Sequence, residues 1–144
     1  MKIHISEADQ NGNLIQNIEG YKGVCVRLDG SIDYFDISDS ECEEIRALNV
    51  VDLFRSDQVE QNLIALLKKI RIGGKIVLSG CDPNILSRLF ISNQIDEQKF
   101  CEIVGSKNSM STVKRISKIL TDFGLRIDLQ RFTFTNYEIT AVRG

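Results

Sequence analysis

The stretch from Val59 to Gly80 constrains the fold of this chain more than any other. Leu63, Leu66, Leu67 and Ile70 recur at helical spacing and give a helix one apolar face. Ser56 or Asp57 is placed to cap its start. Lys68, Lys69 and Arg71 fall in its expected last turn, where cations suit the helix dipole. Gly73-Gly74 then offers the left-handed conformation that stops a helix. Lys75–Ser79 follows, a short β-rich run of the kind a parallel sheet buries on both faces. A helix feeding directly into a buried strand is half of a β-α-β unit, so the fold class it implies is α/β.

The remaining chain supports that class. Lys2–Ile5 and Gly23–Leu28 read as strands, as does Glu44–Val51, and Tyr34–Ile37 reads as a short extended piece. Asn11-Gly12 signals a turn, and Leu14, Ile15 and Ile18 have the spacing of one helical turn. Asp82-Pro83 opens a helix to about Ser92, with Asp as N-cap and Pro in the first position. Asn93–Asn108 is polar and reads as a mobile segment. Ser109 is placed to cap an amphipathic helix carrying Val113, Ile116, Ile119 and Leu120, which Gly124 ends. Leu125–Phe134 and Tyr137–Val142 alternate around Thr135-Asn136 as an antiparallel hairpin. Strands separated by helices call for a mostly parallel sheet with right-handed crossovers. At 144 residues, a single domain over 1–144 is expected.

Composition excludes several classes. Hydrophobic content of 42% and charged content of 26% are those of a globular protein. A net charge of −2 argues against a protein built to coat nucleic acid. No apolar run reaches membrane-spanning length and no signal-peptide h-region opens the chain, so a cytoplasmic location is expected. Cys25, Cys42, Cys81 and Cys101 lack Cys-x-x-Cys spacing and read as free, core-filling thiols, and no metal site is expected. His4, the one histidine, reads as a structural residue with its hydrogen bonds satisfied, and it makes a catalytic triad improbable. There is no phosphate-binding Gly-x-x-x-x-Gly-Lys-Ser/Thr loop and no Gly-x-Ser-x-Gly elbow.

The order of these pieces resembles class I S-adenosylmethionine-dependent methyltransferases. The helix ending in a Gly-Gly turn before a strand is similar to their Leu-Lys-Pro-Gly-Gly-like turn. Gly20-Tyr21, Val24-Cys25-Val26, Asp36-Ile37, the run Ile45–Phe54 and Asp82-Pro83 match further parts of the pattern. The resemblance implies a Rossmann-like, mostly parallel sheet flanked by helices and closed by a C-terminal antiparallel hairpin. It also implies S-adenosylmethionine at the carboxyl ends of the first, second and fourth strands of that family's sheet. Ser6, Glu7, Asp29, Asp36 and Asn49 would then line the cofactor pocket.

The chain departs from the family in the half that should hold the cofactor. Ser6-Glu7-Ala8 stands where the family has Gly-x-Gly, a place where a Cβ blocks close backbone approach. Glu7 adds a negative charge where the methionine carboxylate would lie. Arg27 stands where the family has a ribose-binding acid, with Asp29 two residues on, and Asp52-Leu53-Phe54-Arg55 replaces a Glu-His pair. The expectation is a methyltransferase-fold protein with lost or weakened cofactor binding, acting as an interaction or structural module through a protein partner or self-association. The alternative is a small active methyltransferase with a divergent loop.

Overall fold

The computed structural model describes residues 1–7, 18–34 and 36–144. The Asn11-Gly12 turn and the helical turn at Leu14 and Ile15 lie outside the described residues. In chain order the elements are β1 (Lys2–Glu7), β2 (Lys22–Val26), β3 (Cys42–Ala47), a 3-10 turn (Val51–Leu53), α1 (Val59–Lys68), β4 (Ile70–Cys81), α2 (Pro83–Ile91), α3 (Glu97–Gly105), α4 (Val113–Phe123), β5 (Leu125–Thr133) and β6 (Asn136–Arg143).

The strands form a six-stranded sheet in the order β2-β1-β3-β4-β6-β5. From β2 to β4 the pairing is parallel, and β6 runs antiparallel to both β4 and β5. This is the expected α/β architecture with its terminal hairpin. The chain leaves β1 to one side for β2 and to the other for β3, and the crevice at such a reversal is where open α/β sheets bind ligands.

Strand alternation gives the sheet two faces. Ile3, Ile5, Ile45, Ile76, Leu78, Ile139 and Ala141 form the core face, covered by Leu63, Leu66 and Leu67 of α1 and by Ile116 and Leu120 of α4. The period of two turns His4, Ser6, Arg46, Val77 and Thr140 to the other face. Among the described residues, no helix is long and apolar enough to cross a membrane.

The glycine pair does something other than stop a helix. α1 ends at Lys68, and β4 begins at Ile70 and runs through Gly73 and Gly74. Ile70 pairs with Cys42 and Lys75 with Glu44, so the residues between are extruded as a bulge. Gly73 takes a φ of +80° within it. The last-turn cations disperse accordingly: Lys69 reaches the Ile37 carbonyl at 3.0 Å and Asp39 at 2.9 Å, and Arg71 pairs with Glu43 at 3.2 Å. The helix starts at Gln58 with no side-chain cap, so neither Ser56 nor Asp57 plays that part.

Other boundaries shift for local reasons. β3 stops at Ala47, and Asn49 takes a φ of +61°, which no strand tolerates. Of the expected third extended piece, only an isolated bridge from Val26 to Ile32 lies near, and Tyr34, Asp36 and Ile37 are not strand. Asn93–Asn108 contains α3, started by Asp96 accepting from the Lys99 N–H at 2.7 Å. Thr112 rather than Ser109 caps α4, and Gly124 ends it at a φ of 103°. Asp82 caps α2 as expected, accepting from the Asn84 N–H at 2.8 Å. The hairpin turns on Phe134-Thr135, one residue early, with Phe134 at a φ of 55°. Cys42 and Cys81 are buried free thiols, but Cys101 on α3 is exposed and fills no core.

Candidate functional site

Parallel strands β1 to β4 deliver their carboxyl ends to one edge of the molecule. Glu7 ends β1 and is exposed, while Asp29 follows β2, and Asn49 with the 3-10 turn follows β3. Of the five residues expected to line one pocket, these are the ones brought to this end. Asp36 sits at the opposite end, ion-paired with Lys22 at the start of β2, whose hydrogen bond holds its carboxyl below the usual range. Ser6 turns to the face away from α1 and α4, and its hydroxyl is buried without a partner among the described residues.

Local bonds occupy the polar groups that do assemble. The Asp29 carboxylate accepts from the Ser31 N–H at 2.9 Å and from the Ser31 hydroxyl at 2.6 Å, which closes the Asp29-Gly30 turn and lowers its pKa. The Asn49 N–H donates to the Ser79 carbonyl at 3.1 Å and to Ser79 Oγ at 2.9 Å, clipping the end of β3 to β4. Arg27 is held by Asp33 at 3.2 Å.

The most elaborate constellation here centres on Asp52, which is 1% exposed. Its carboxylate accepts from the Cys81 N–H, at 3.0 Å to Oδ2, and pairs with Lys107 Nζ at 3.2 Å. Burial raises its pKa, and Lys107 works against that rise. The Asp52 carbonyl accepts from the backbone N–H groups of Asn108 at 2.9 Å and Ser109 at 3.1 Å, and Asn108 Nδ2 donates to the Leu53 carbonyl at 2.8 Å. The segment after α3 is thereby strapped across the carboxyl end of the sheet. Gly80 leaves room for this arrangement, since a Cβ there would lie 2.8 Å from the Tyr137 hydroxyl and 3.0 Å from Asp52 Oδ1.

Sequence reasoning missed Asp52, Lys107 and Asn108. The signal available was an acid inside the apolar run Val50-Val51-Asp52-Leu53-Phe54. A carboxylate carried into a core by such neighbours needs a cation and donors.

Among the described residues, two cavities flank the strap. One, about 130 Å³, is lined by Glu7, Val26, Arg27, Leu28, Leu53, Ser106 and Asn108. The other, about 800 Å³, is an open cleft between Asp29, Arg55, Asp57 and Lys107, with Asn108 bordering both. No group of metal-ligating side chains occurs among the described residues.

His4 departs from its expected role. It is 3% exposed, as a structural histidine would be, but its Nδ1 has no hydrogen-bond partner among the described residues. Burial, and secondarily the Arg46 charge, lower its pKa below 6.5. A group with a depressed folded-state pKa contributes stability above its unfolded value and loses it as pH falls through the folded value. Urea midpoints are therefore expected to fall as pH drops below about 6.5, and less steeply in His4→Gln. Parallel slopes for the two proteins would refute this.

Comparison with solved structures identifies the architecture. A SAM-dependent methyltransferase from Archaeoglobus fulgidus superposes with a TM-score of 0.63 at 15% identity, over 98% of this chain and 75% of that one. Magnesium protoporphyrin IX methyltransferase from Synechocystis PCC 6803 with bound SAH gives 0.54 at 15% identity, over 94% and 54%. The complex of the Haloferax volcanii Trm112 methyltransferase activator with a putative methyltransferase gives 0.54 at 10% identity, over 88% and 63%. The chain thus spans less than two thirds of the matched length in the last two. No family model and no curated protein matches the sequence. The chain has a class I S-adenosylmethionine-dependent methyltransferase-like fold.

Proposed function

We propose that this chain is a methyltransferase-fold protein whose S-adenosylmethionine binding is lost or much weakened, and that it works in the cytoplasm as a single-domain interaction module with a protein partner or a second copy. The observation that carries this reading is that the polar groups at the expected cofactor end are engaged by their own neighbours or carry the wrong charge. Among the described residues, the pocket beside Glu7 holds about 130 Å³, against roughly 300–1,000 Å³ for ordinary small-molecule sites. An exposed carboxylate ends β1, and Asp29 is engaged by Ser31. These residues do not fit the cofactor. That one similar structure is a complex of a methyltransferase with its activator is in keeping with a partner-dependent role.

The open cleft of about 800 Å³ beside Asp29 favours a second reading, a small active methyltransferase that binds its cofactor there. Thermal shift with S-adenosylmethionine and S-adenosylhomocysteine separates the two. Ligand at a hundred times its dissociation constant adds about 2.7 kcal/mol. The expected result is no shift at millimolar ligand. A clear shift that Asp29→Ala removes would overturn the proposal in favour of the enzyme.

A further inference from the structure

α1 carries a second apolar stripe beside the one it buries. Leu63, Leu66 and Leu67 lie in the core, whereas Ile64 and Ala65 are half-buried between the exposed Gln61 and Lys68. Positions 61, 64, 65 and 68 have the spacing of one helix face. Opposite this stripe stand Tyr34 and Asp39, from the segment that leads into β3. Between the two walls, among the described residues, lies a groove of about 380 Å³. That volume falls in the range of small-molecule sites, roughly 300–1,000 Å³. Ala65 leaves the room, since its side chain stops at Cβ and a larger residue would reach into the groove.

Charge narrows what the groove takes. Lys69 Nζ stands 5.1 Å from the centroid of the Tyr34 ring, donates to the Ile37 carbonyl at 3.0 Å and pairs with Asp39 at 2.9 Å. These contacts fix the ring and engage both the Lys69 charge and the Asp39 carboxylate. Lys68 remains, with no ion-pair partner among the described residues. The helix-end carbonyls near it are covered: that of Lys68 accepts from the Ser40 N–H and that of Lys69 from the Cys42 N–H, each at 2.8 Å. An anion at Lys68 therefore meets an ammonium rather than bare carbonyl oxygens. An apolar floor ending in one uncommitted cation suits an anion with an apolar body.

We propose that the groove between α1 and Tyr34 binds a small monocarboxylate with an aromatic or branched apolar body, its carboxylate at Lys68 and its body over Ala65, Ile64 and the Tyr34 ring. Gln61, two turns earlier on α1 and about 10 Å away along the axis, stands ready to hydrogen-bond a polar group at the far end of a longer ligand. A neutral head forfeits Lys68, and a cationic head meets it with like charge. The groove shares no lining residue with the two carboxyl-end cavities, and its cationic end lies where α1 hands over to the start of β4. It is therefore independent of the cofactor question.

Calorimetry and NMR of the Ile64 and Ala65 methyl groups test it, with phenylacetate, phenethyl alcohol, phenethylamine and acetate as probes. Phenylacetate is expected to bind with a dissociation constant of about 1 mM and to move both methyl signals. It should bind about fivefold more tightly than phenethyl alcohol, and acetate should be too weak to saturate. Lys68→Gln, a change at an exposed position, should remove that preference for the acid. Ala65→Leu fills the groove with a residue that favours helix and should weaken phenylacetate by about tenfold, with the circular dichroism spectrum unchanged. Tightest binding by phenethylamine would mean that Asp39 reads the head group, and equal binding of acid and alcohol would mean that Lys68 does not. Either overturns the proposal. So does binding that leaves the methyl signals unmoved or survives Ala65→Leu, and so does the absence of binding by any probe.

Discussion

Asp52→Ala is expected to destabilise the fold by about 3–5 kcal/mol, the range found when one partner of a buried ion pair is removed. The loss has several parts. Lys107, whose side chain is only 19% exposed, keeps its charge with no acid to face. The Cys81 N–H loses its acceptor inside the core. The space beside Gly80 and the Tyr137 hydroxyl opens, and that hydroxyl already has no partner among the described residues. Against a typical total of about 5–15 kcal/mol, such a change moves the protein towards its unfolding threshold. Urea denaturation provides the measurement. Asp52→Asn, which keeps an acceptor for Cys81 and loses the charge, should destabilise less. A Lys107→Met protein should be relatively more stable at pH 5 than at pH 8. Burial already raises the Asp52 pKa, and without Lys107 the folded state favours the protonated acid more, an advantage lost as pH rises. A change within about 0.5 kcal/mol for Asp52→Ala would mean that the carboxylate does not hold the strap.

The scaffold was legible in the sequence because its signals are local. Asp82-Pro83, Gly124 and the periodicity of Ile116 and Leu120 each act within a turn or two of where they lie. The carboxyl-end constellation is built otherwise. Asp52 meets Cys81 and Lys107 across long stretches of chain, and no period or spacing encodes which acid a buried lysine will find. α3 escaped notice because it buries none of its own residues fully. It is held through Phe90 and Phe100, stacked at 4.5 Å, on a helix otherwise mixed in composition. Asp29 and Asp36 show why listing acids near strand ends is insufficient. One closes its own turn and the other pairs with Lys22 at the far end of the sheet. His4 could be read as buried, but not as unsatisfied, since satisfaction depends on what Arg46 and Glu44 do on the neighbouring strand.

Gly74→Ala is expected to be far more damaging than Gly73→Ala, although Gly73 alone has the unusual dihedral. Gly73 sits at a φ of +80° with nothing within 4 Å of where a Cβ would go. Its replacement meets only the strain of a left-handed alanine, about 1 kcal/mol. Gly74 has no such dihedral, but a Cβ there would lie 2.9 Å from the Cys42 carbonyl oxygen, 2.9 Å from Ile70 Cγ2 and 3.0 Å from the Arg71 carbonyl oxygen. Two of these are backbone atoms, one on β3 and one on β4, so neither can swing aside as a flexible side chain would. Relief requires β3 and β4 to part where Cys42 pairs with Ile70, at about 2–4 kcal/mol. If the glycines served to stop a helix, Gly73 in its left-handed conformation would be the critical one and Gly74 would tolerate alanine. Denaturant midpoints for the two single variants decide the matter. A larger loss for Gly73→Ala would show that the pair acts through backbone conformation rather than through the close approach of two strands.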